Sequence, residues 1–416
     1  MILKKSTLIS NKIIEISGSK SISNRLLILH ALFNNIKIEN LSYSQDTRLL
    51  LAALHNSSDT VDVRHAGTAM RFLTSYFAIQ EGRTTVLTGS ERMKERPIKP
   101  LVDALRQLGA QIDFLENEGY PPLKISGRKL NGGEVRIQAN VSSQFITSLM
   151  LIGAKLENGL TIILEGKITS IPYLEMTLKI LRTIGITNSW EENMITVKPN
   201  IQTEKNSRIV PFTIESDWSS ASYFYSLAAI GRSSISLKCF KPYSLQGDSV
   251  VRELYWEYFG VNTISEGAGA KISLLPDTNF KFPDGIDLNM NACPDIAQTL
   301  CVTAAALKIP FHITGLETLK IKETDRLSAL QNELFKIGCL TETTESAIRS
   351  THFTEPATNI SIKTYNDHRM AMSFAPICLL QELNIENDQV VEKSYPNFWS
   401  DLALCLTPQT NLNEKQ

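Results

Sequence analysis

The sequence predicts an α/β protein of two domains, built from one supersecondary unit repeated six times. Three observations carry that prediction. The chain has 416 residues, more than a single hydrophobic core ordinarily serves. Six segments begin with small or polar residues and run straight into an apolar helical pattern at a nearly constant spacing. A second helical pattern recurs in step with the first and ends at a glycine, the usual left-handed stop.

In chain order the six starts open with Lys20-Ser21-Ile22-Ser23-Asn24-Arg25 before LLILHALF, Ala66-Gly67-Thr68 before AMRFLTSYFAI, and Ser142-Ser143-Gln144 before FITSLMLIGA. Asp217-Trp218-Ser219-Ser220 before ASYFYSLAAI, Pro294-Asp295 before IAQTLCVTAAAL, and Asp367-His368-Arg369 before MAMSFAPICLL complete the set. With Ser21, Thr68, Ser143, Ser219, Asp295 and His368 as markers, the steps are 47, 75, 76, 76 and 73 residues. The second helices LVDALRQLGA, LKILRTIGI, LYWEYFGV and NELFKIGC end at Gly109, Gly185, Gly260 and Gly338, spaced 76, 75 and 78 apart. Short β-branched runs such as TTVLTG, LTIILEG and FHITG flank these helices and read as strands. The unit is helix, strand, loop, helix, strand. The short first step predicts a strand or hairpin missing between Leu54 and Arg64.

Composition narrows the function. Hydrophobic residues make up 43% and charged residues 20%, as in soluble globular proteins. With 42 basic and 43 acidic residues the net charge is -1, so no bulk field draws nucleic acid or an anionic membrane. The six cysteines all lie at or beyond Cys239, without C-x-x-C or His-paired spacing. They read as reduced structural thiols, and no metal site is expected. The N-terminal MILKKSTLISNKIIEIS alternates like a strand and lacks the apolar core of a secretory signal. No apolar run approaches the roughly 20 residues of a membrane span. The polar tail TPQTNLNEKQ is expected to fray.

Anion recognition must therefore come from local clusters. Ile321-Lys322-Glu323-Thr324-Asp325-Arg326 precedes an amphipathic helix ending at Gly338, with Thr324 or Asp325 as its N-cap. Lys322 and Arg326, four apart, are expected to share one helical face, with Glu323 beside them. Lys20 and Arg25 stand at the start of the first helix with the Ser21 hydroxyl. Ser17-Gly18-Ser19-Lys20-Ser21 looks like the end of a P-loop but lacks its first glycine, so a nucleotide site is not expected. Arg92-Met93-Lys94-Glu95-Arg96-Pro97 puts three cations before a proline expected at helix position N1. Asn366-Asp367-His368-Arg369 places four polar groups at a buried helix, which something must satisfy. Ordinary capping would use many of the same residues. Several helix starts aimed at one place would instead form an anion site without large net charge, and Asp295 and Glu323 would supply a base and an acid.

The segments GSKSISNR, AGTAMRFL, LTGSERMKERPIKPLVDAL, VSSQF, SSASYF, IKETDRL and YNDHRMAM occur in this order between about residues 15 and 400. Together they resemble the 5-enolpyruvylshikimate-3-phosphate (EPSP) synthase family, the 3-phosphoshikimate 1-carboxyvinyltransferases. The resemblance implies a two-domain, inside-out barrel of six βαβαββ-type repeats, the enolpyruvyl transferase fold, with the first repeat shortened. It puts 1–18 with 216–416 in one lobe and 19–215 in the other, with hinge crossovers near 18 and 215 and a cleft that closes on ligand. The implied reaction moves the enolpyruvyl group of phosphoenolpyruvate to the 5-hydroxyl of shikimate 3-phosphate and releases phosphate, on the way to chorismate and the aromatic amino acids. No metal or organic cofactor is implied, nor any nucleic-acid or membrane partner; a cytoplasmic monomer, of the enzyme class that glyphosate targets, is.

Residue by residue, the resemblance assigns shikimate 3-phosphate to Lys20, Ser21, Arg25, Ser142, Ser143, Gln144, Ser170, Asp295 and Lys322. It assigns phosphoenolpyruvate to Lys20, Gly67, Arg96, Gln144, Arg326, Arg369 and Lys393. Asp295 becomes the base for the 5-hydroxyl and Glu323 the acid for the enol carbon, with Lys20 a third catalytic group. The chain departs from the family pattern at His65, where Asn is usual before Ala-Gly-Thr, at Phe72, where Pro is common, and at Thr318, where some members bind phosphoshikimate with Asn. The sister transferase acting on UDP-N-acetylglucosamine shares the repeat, but carries Asn after the first Lys and a reactive Cys in a loop. Here Ser21 follows Lys20 and no Cys precedes Cys239. A non-catalytic anion-binding relative is the remaining alternative.

Overall fold

A computed structural model of the chain describes residues 1–140, 142–200, 209–267 and 271–409. The chain divides into two compact units, Met1–Ser17 with Glu215–Gln416, and Gly18–Ile214.

The complete repeat is plainest within Gly18–Ile214. Strand Gly133–Gln138 leads into helix Ser143–Gly153, and strand Leu160–Glu165 returns parallel to the first. Helix Ile171–Thr183 follows, and the hairpin Asn188–Glu191 and Met194–Val197 closes the sheet against Leu160–Glu165. Thr60–Asp62, helix Gly67–Ala78, Thr84–Thr88, helix Lys99–Gln107, Gln111–Phe114 and Leu123–Ser126 repeat the pattern. The first repeat is the short one. After helix Gln45–His55 the chain passes directly to Thr60–Asp62, so helix Lys20–Phe33 is accompanied only by Ile36–Glu39 paired with Val210–Thr213. What is missing is the hairpin; the strand inside the suspect interval belongs to the next repeat.

In the other unit, Ile286–Asn289, helix Ala297–Ala306, Phe311–Thr314, helix Arg326–Lys336, Cys339–Thr343 and Ile348–Phe353 form a full repeat. Helix Trp218–Gly231, Ile235–Lys238, helix Val251–Phe259 and the hairpin Val261–Glu266 and Lys271–Pro276 take their leading strand from the N-terminal Lys12–Ile14. The last repeat likewise borrows Ile2–Leu3 and Ser6–Leu8, which pair with Leu383–Ile385 and Leu406–Pro408. Thr407 and Pro408 are thus held in a strand rather than frayed, because Ser6–Leu8 offers its edge; residues 410–416 of the tail lie outside the described residues.

Helices that are apolar all round must lie inside, and they do. Phe145 to Gly153 are buried without a break, as are Ala297 to Ala305 and His368 to Phe374. Small hydroxyl residues let them approach. Ser222, Thr299 and Ser373 hydrogen-bond across three helices at 3.2 and 3.1 Å, and Ser148 bonds Ser75 at 2.7 Å in the other unit. Gly109, Gly185, Gly260 and Gly338 end the second helices at φ 92, 88, 68 and 84°, a region that penalises any Cβ. Among the described residues no helix is long and apolar enough to cross a membrane, no metal-binding group of His, Cys, Asp or Glu occurs, and the six cysteines are free thiols.

Candidate active site

Within the unit containing Glu215–Gln416, three helix starts from two repeats, at Asp295, Arg326 and Asp367, meet in one ion cluster. Arg326 opens its helix behind the Asp325 cap, whose carboxylate accepts from the Leu327 and Ser328 amides. Its side chain is 2% exposed and spreads over three carboxylates: Nε donates to Asp367 Oδ2 at 2.6 Å, Nη1 to Asp295 Oδ1 at 3.2 Å, and Nη2 to Glu323 Oε2 at 2.8 Å. Burial opposes that charge, but Asp367, Glu323 and Asp295 together hold it more firmly protonated than an ordinary arginine. Arg369 donates Nη1 to the Asp295 carbonyl at 2.7 Å and sets Nη2 3.1 Å from Asp295 Oδ2. Lys322 Nζ lies 3.7 Å from Asp295 Oδ1, and the buried Lys393 binds Glu323 Oε1 at 2.7 Å. Burial works against the Asp295 carboxylate, yet Arg369, Lys322 and Arg326 override it and hold the group below the usual carboxylate range.

Within Gly18–Ile214 the cations are held differently. Arg25 is buried and donates to four neutral oxygens: Thr177 Oγ1 at 2.8 Å, Ser21 O at 2.8 Å, Tyr173 O at 3.3 Å and Thr147 Oγ1 at 3.4 Å. Burial pushes its guanidinium down to about 10. The Phe72 ring, 5.7 Å from the guanidinium carbon, covers it. Lys20 Nζ sits 3.2 Å from the buried Asp46, and His65 Nε2 lies 2.7 Å from Gln45 Oε1 at the start of the same helix. Arg96 is 8% exposed, and its Nε meets no acceptor among the described residues. Its guanidinium rests on Gly67 so closely that a Cβ there would fall 2.7 Å from Nη1. Gln144 Nε2 reaches Thr68 Oγ1 at 3.2 Å, joining two helix starts. Ser21, Ser142 and Ser143 are half-buried. Ser170 adopts φ 54° and ψ 42°, a conformation that costs a non-glycine residue roughly 1–3 kcal/mol and recurs at ligand sites.

Three expectations need correction. Lys322 and Arg326 do not share a helical face, because the helix begins only at Arg326; both reach the Asp295 carboxylate instead. The proline at a helix start is Pro100, not Pro97, since Lys99–Gln107 begins two residues later. Nor do the three cations of Arg92–Arg96 form one cluster. Arg92 and Lys94 pair outward with Glu95 and Glu116 while Arg96 turns inward. Sequence reading also passed over Asp367 as an ion partner and Ser219 as anything beyond a repeat marker, and Asp46 and Asp248 altogether. Asp367 was signalled by the polar quartet at its helix; nothing periodic marks Asp248.

Solved structures with this architecture include an EPSP synthase from Acinetobacter baumannii, with TM-score 0.73 and 21% identity over 98% of this chain and 99% of that one. The enolpyruvyl transferase NikO from Streptomyces tendae aligns with TM-score 0.69 and 12% identity over the same shares. The fold is that of the enolpyruvyl transferases. The family model for EPSP synthase (3-phosphoshikimate 1-carboxyvinyltransferase) matches residues 55–402. The 3-phosphoshikimate 1-carboxyvinyltransferase of Bacteroides fragilis is 44% identical over 395 residues, 94% of each chain, and that of Mannheimia haemolytica 36% identical over 94% of this chain and 95% of its own. The chain belongs to the EPSP synthase family.

Proposed function

We propose that the chain transfers the enolpyruvyl group of phosphoenolpyruvate to the 5-hydroxyl of shikimate 3-phosphate, by addition and then elimination. The observation that carries this reading is Asp295, kept ionised by three cations, with Glu323 held on the far side of the shared Arg326 guanidinium. Asp295 takes the 5-hydroxyl proton as the oxygen attacks the enol carbon bearing phosphate. Glu323 gives a proton to the terminal carbon. The tetrahedral ketal then loses phosphate, which carries off the proton held by Asp295, while the Glu323 carboxylate takes back a methyl proton and the double bond returns. Both Glu323 oxygens accept from cations, so the acid must exchange one contact before it donates.

Lys20, Ser21, Arg25, Ser142, Ser143, Gln144, Ser170, Asp295 and Lys322 are assigned to shikimate 3-phosphate. Lys20, Gly67, Arg96, Gln144, Arg326, Arg369 and Lys393 are assigned to phosphoenolpyruvate. The buried Arg96, with an open Nε beside a helix start, supports this: a guanidinium under-supplied with acceptors is a strong partner for a carboxylate or phosphate. Arg326 contributes chiefly by holding the carboxylates, since most of its donors are taken. The reading includes a cytoplasmic monomer, which light scattering and fractionation would check. Phosphate release with the two substrates, and with UDP-N-acetylglucosamine in place of shikimate 3-phosphate, tests the function. Release with the nucleotide sugar alone, or tight shikimate 3-phosphate binding without turnover, would overturn it.

A further inference from the structure

One buried carboxyl that the mechanism does not use lies against the same ion cluster. Asp248, on the turn Gly247–Val250, is 3% exposed and accepts the Ser219 hydroxyl. Ser219 Oγ in turn accepts from Arg369 Nη2 at 3.4 Å, and the same nitrogen lies 3.1 Å from Asp295 Oδ2. Ser219 therefore couples Asp248 to the guanidinium that faces the proposed base.

Among the described residues, the charged and titratable groups that act on Asp248 include Arg369 from helix His368–Phe374, Asp295 from the turn Pro294–Ile296, Asp217 at the cap of Trp218–Gly231, and the Cys293 thiol. Burial, and next the Asp295 charge, push the Asp248 carboxyl up to about 6 against the pull of Arg369 and the Ser219 hydrogen bond. An anion on Arg369 weakens that favourable charge and adds a negative one nearby. Proton uptake by Asp248 relieves both effects.

We propose that Asp248 is a positioning residue that aims Ser219 at Arg369 and takes up a proton when an anion engages Arg369. The inference rests on the assignment of Arg369 to phosphoenolpyruvate. Titration calorimetry of the full chain with phosphoenolpyruvate in the presence of shikimate 3-phosphate, in buffers of different ionisation heat at pH near 7, counts the protons. Asp248→Asn keeps an oxygen for the Ser219 hydroxyl and removes the titration. The wild type is expected to take up about 0.3–0.5 proton more than this variant, the ligand's own titration cancelling in the difference. Its KM for phosphoenolpyruvate should climb with pH above about 6, while that of Asp248→Asn stays flatter. Ser219→Ala, which cuts the link but leaves the carboxyl, should raise that KM about 3–10-fold with kcat changed less than about twofold. Equal proton uptake, or parallel KM–pH profiles, in the wild type and Asp248→Asn would overturn the proposal. Absence of phosphoenolpyruvate binding in the wild type would overturn the function assigned above, and this inference with it.

Discussion

Arg25 and Arg326 are both buried guanidiniums at helix starts, and their surroundings are opposite. Arg25 spends its donors on hydroxyl and carbonyl oxygens, so burial lowers its hold on the proton to about 10. Arg326 spends its donors on Asp367, Asp295 and Glu323, and is held protonated in spite of burial. The first is a charge that an arriving anion can complete. The second is already neutralised and orders the carboxylates around it. The lesson is that a count of cations near helix starts does not separate ligands from scaffold; the chemistry of the partner oxygens does.

The most severe test of this division falls on the scaffolded carboxylates themselves. Glu323→Gln preserves shape and the cation contacts of one oxygen but cannot deliver a proton. Its kcat should fall roughly 10²–10⁴-fold, measured by phosphate release at saturating substrates. Near-normal turnover would remove Glu323 from the acid role and leave it as part of the scaffold.

Stability sharpens the contrast between the two arginines. Arg326→Met removes the cation that three carboxylates share in a buried site and should cost about 3–5 kcal/mol by urea unfolding. Arg25→Met removes a charge whose partners are neutral, and Thr147 and Thr177 lie 3.5 Å apart, able to pair with each other. Its stability should stay within about 1 kcal/mol of the wild type, while shikimate 3-phosphate affinity drops. Equal destabilisation of both variants would break the comparison. Arg96→Ala belongs with Arg25. A lost charge-assisted hydrogen bond of about 1.5–3 kcal/mol should raise the phosphoenolpyruvate KM roughly 10–150-fold, with the urea midpoint little changed.

Much of this was legible beforehand, for definite reasons. The six apolar helices and the glycine stops follow from a periodicity that burial enforces, so Gly109 to Gly338 and the caps at Ser142, Asp217, Asp325 and Asp367 appear where the pattern puts them. The outer hairpins were not legible, because QIDF, NSWE and CLTET are short, half-exposed strands without an apolar run. In the site, motif residues such as Lys20, Asp295 and Arg369 stood out by type and position. Their partners did not. Asp248 precedes an ordinary helix, and Asp46 reads as a plain first-turn acid. Which carboxylate neutralises which cation depends on contacts between residues as far apart as Arg326 and Asp367, and no local pattern carries them.

The smallest expected effect concerns acid. Because Asp295 is held below the ordinary carboxylate range, it contributes stability at pH values above its unfolded pKa, and that contribution is lost as pH falls through this range toward the folded value. Asp295→Asn should therefore be less stable than the wild type near neutrality, with the gap narrowing below about pH 4. Arg25 should behave in the opposite sense at the other end of the scale. Its folded value lies below the unfolded one, so its charge costs stability up to about pH 10, and that cost is relieved as pH rises further. Urea midpoints for the wild type, Asp295→Asn and Arg25→Met across pH 3 to 11 would show the two trends. A gap between the wild type and Asp295→Asn that stayed constant into acid would mean that the three cations do not hold Asp295 as their positions imply, and that the base is less firmly ionised than the division between ligand and scaffold requires.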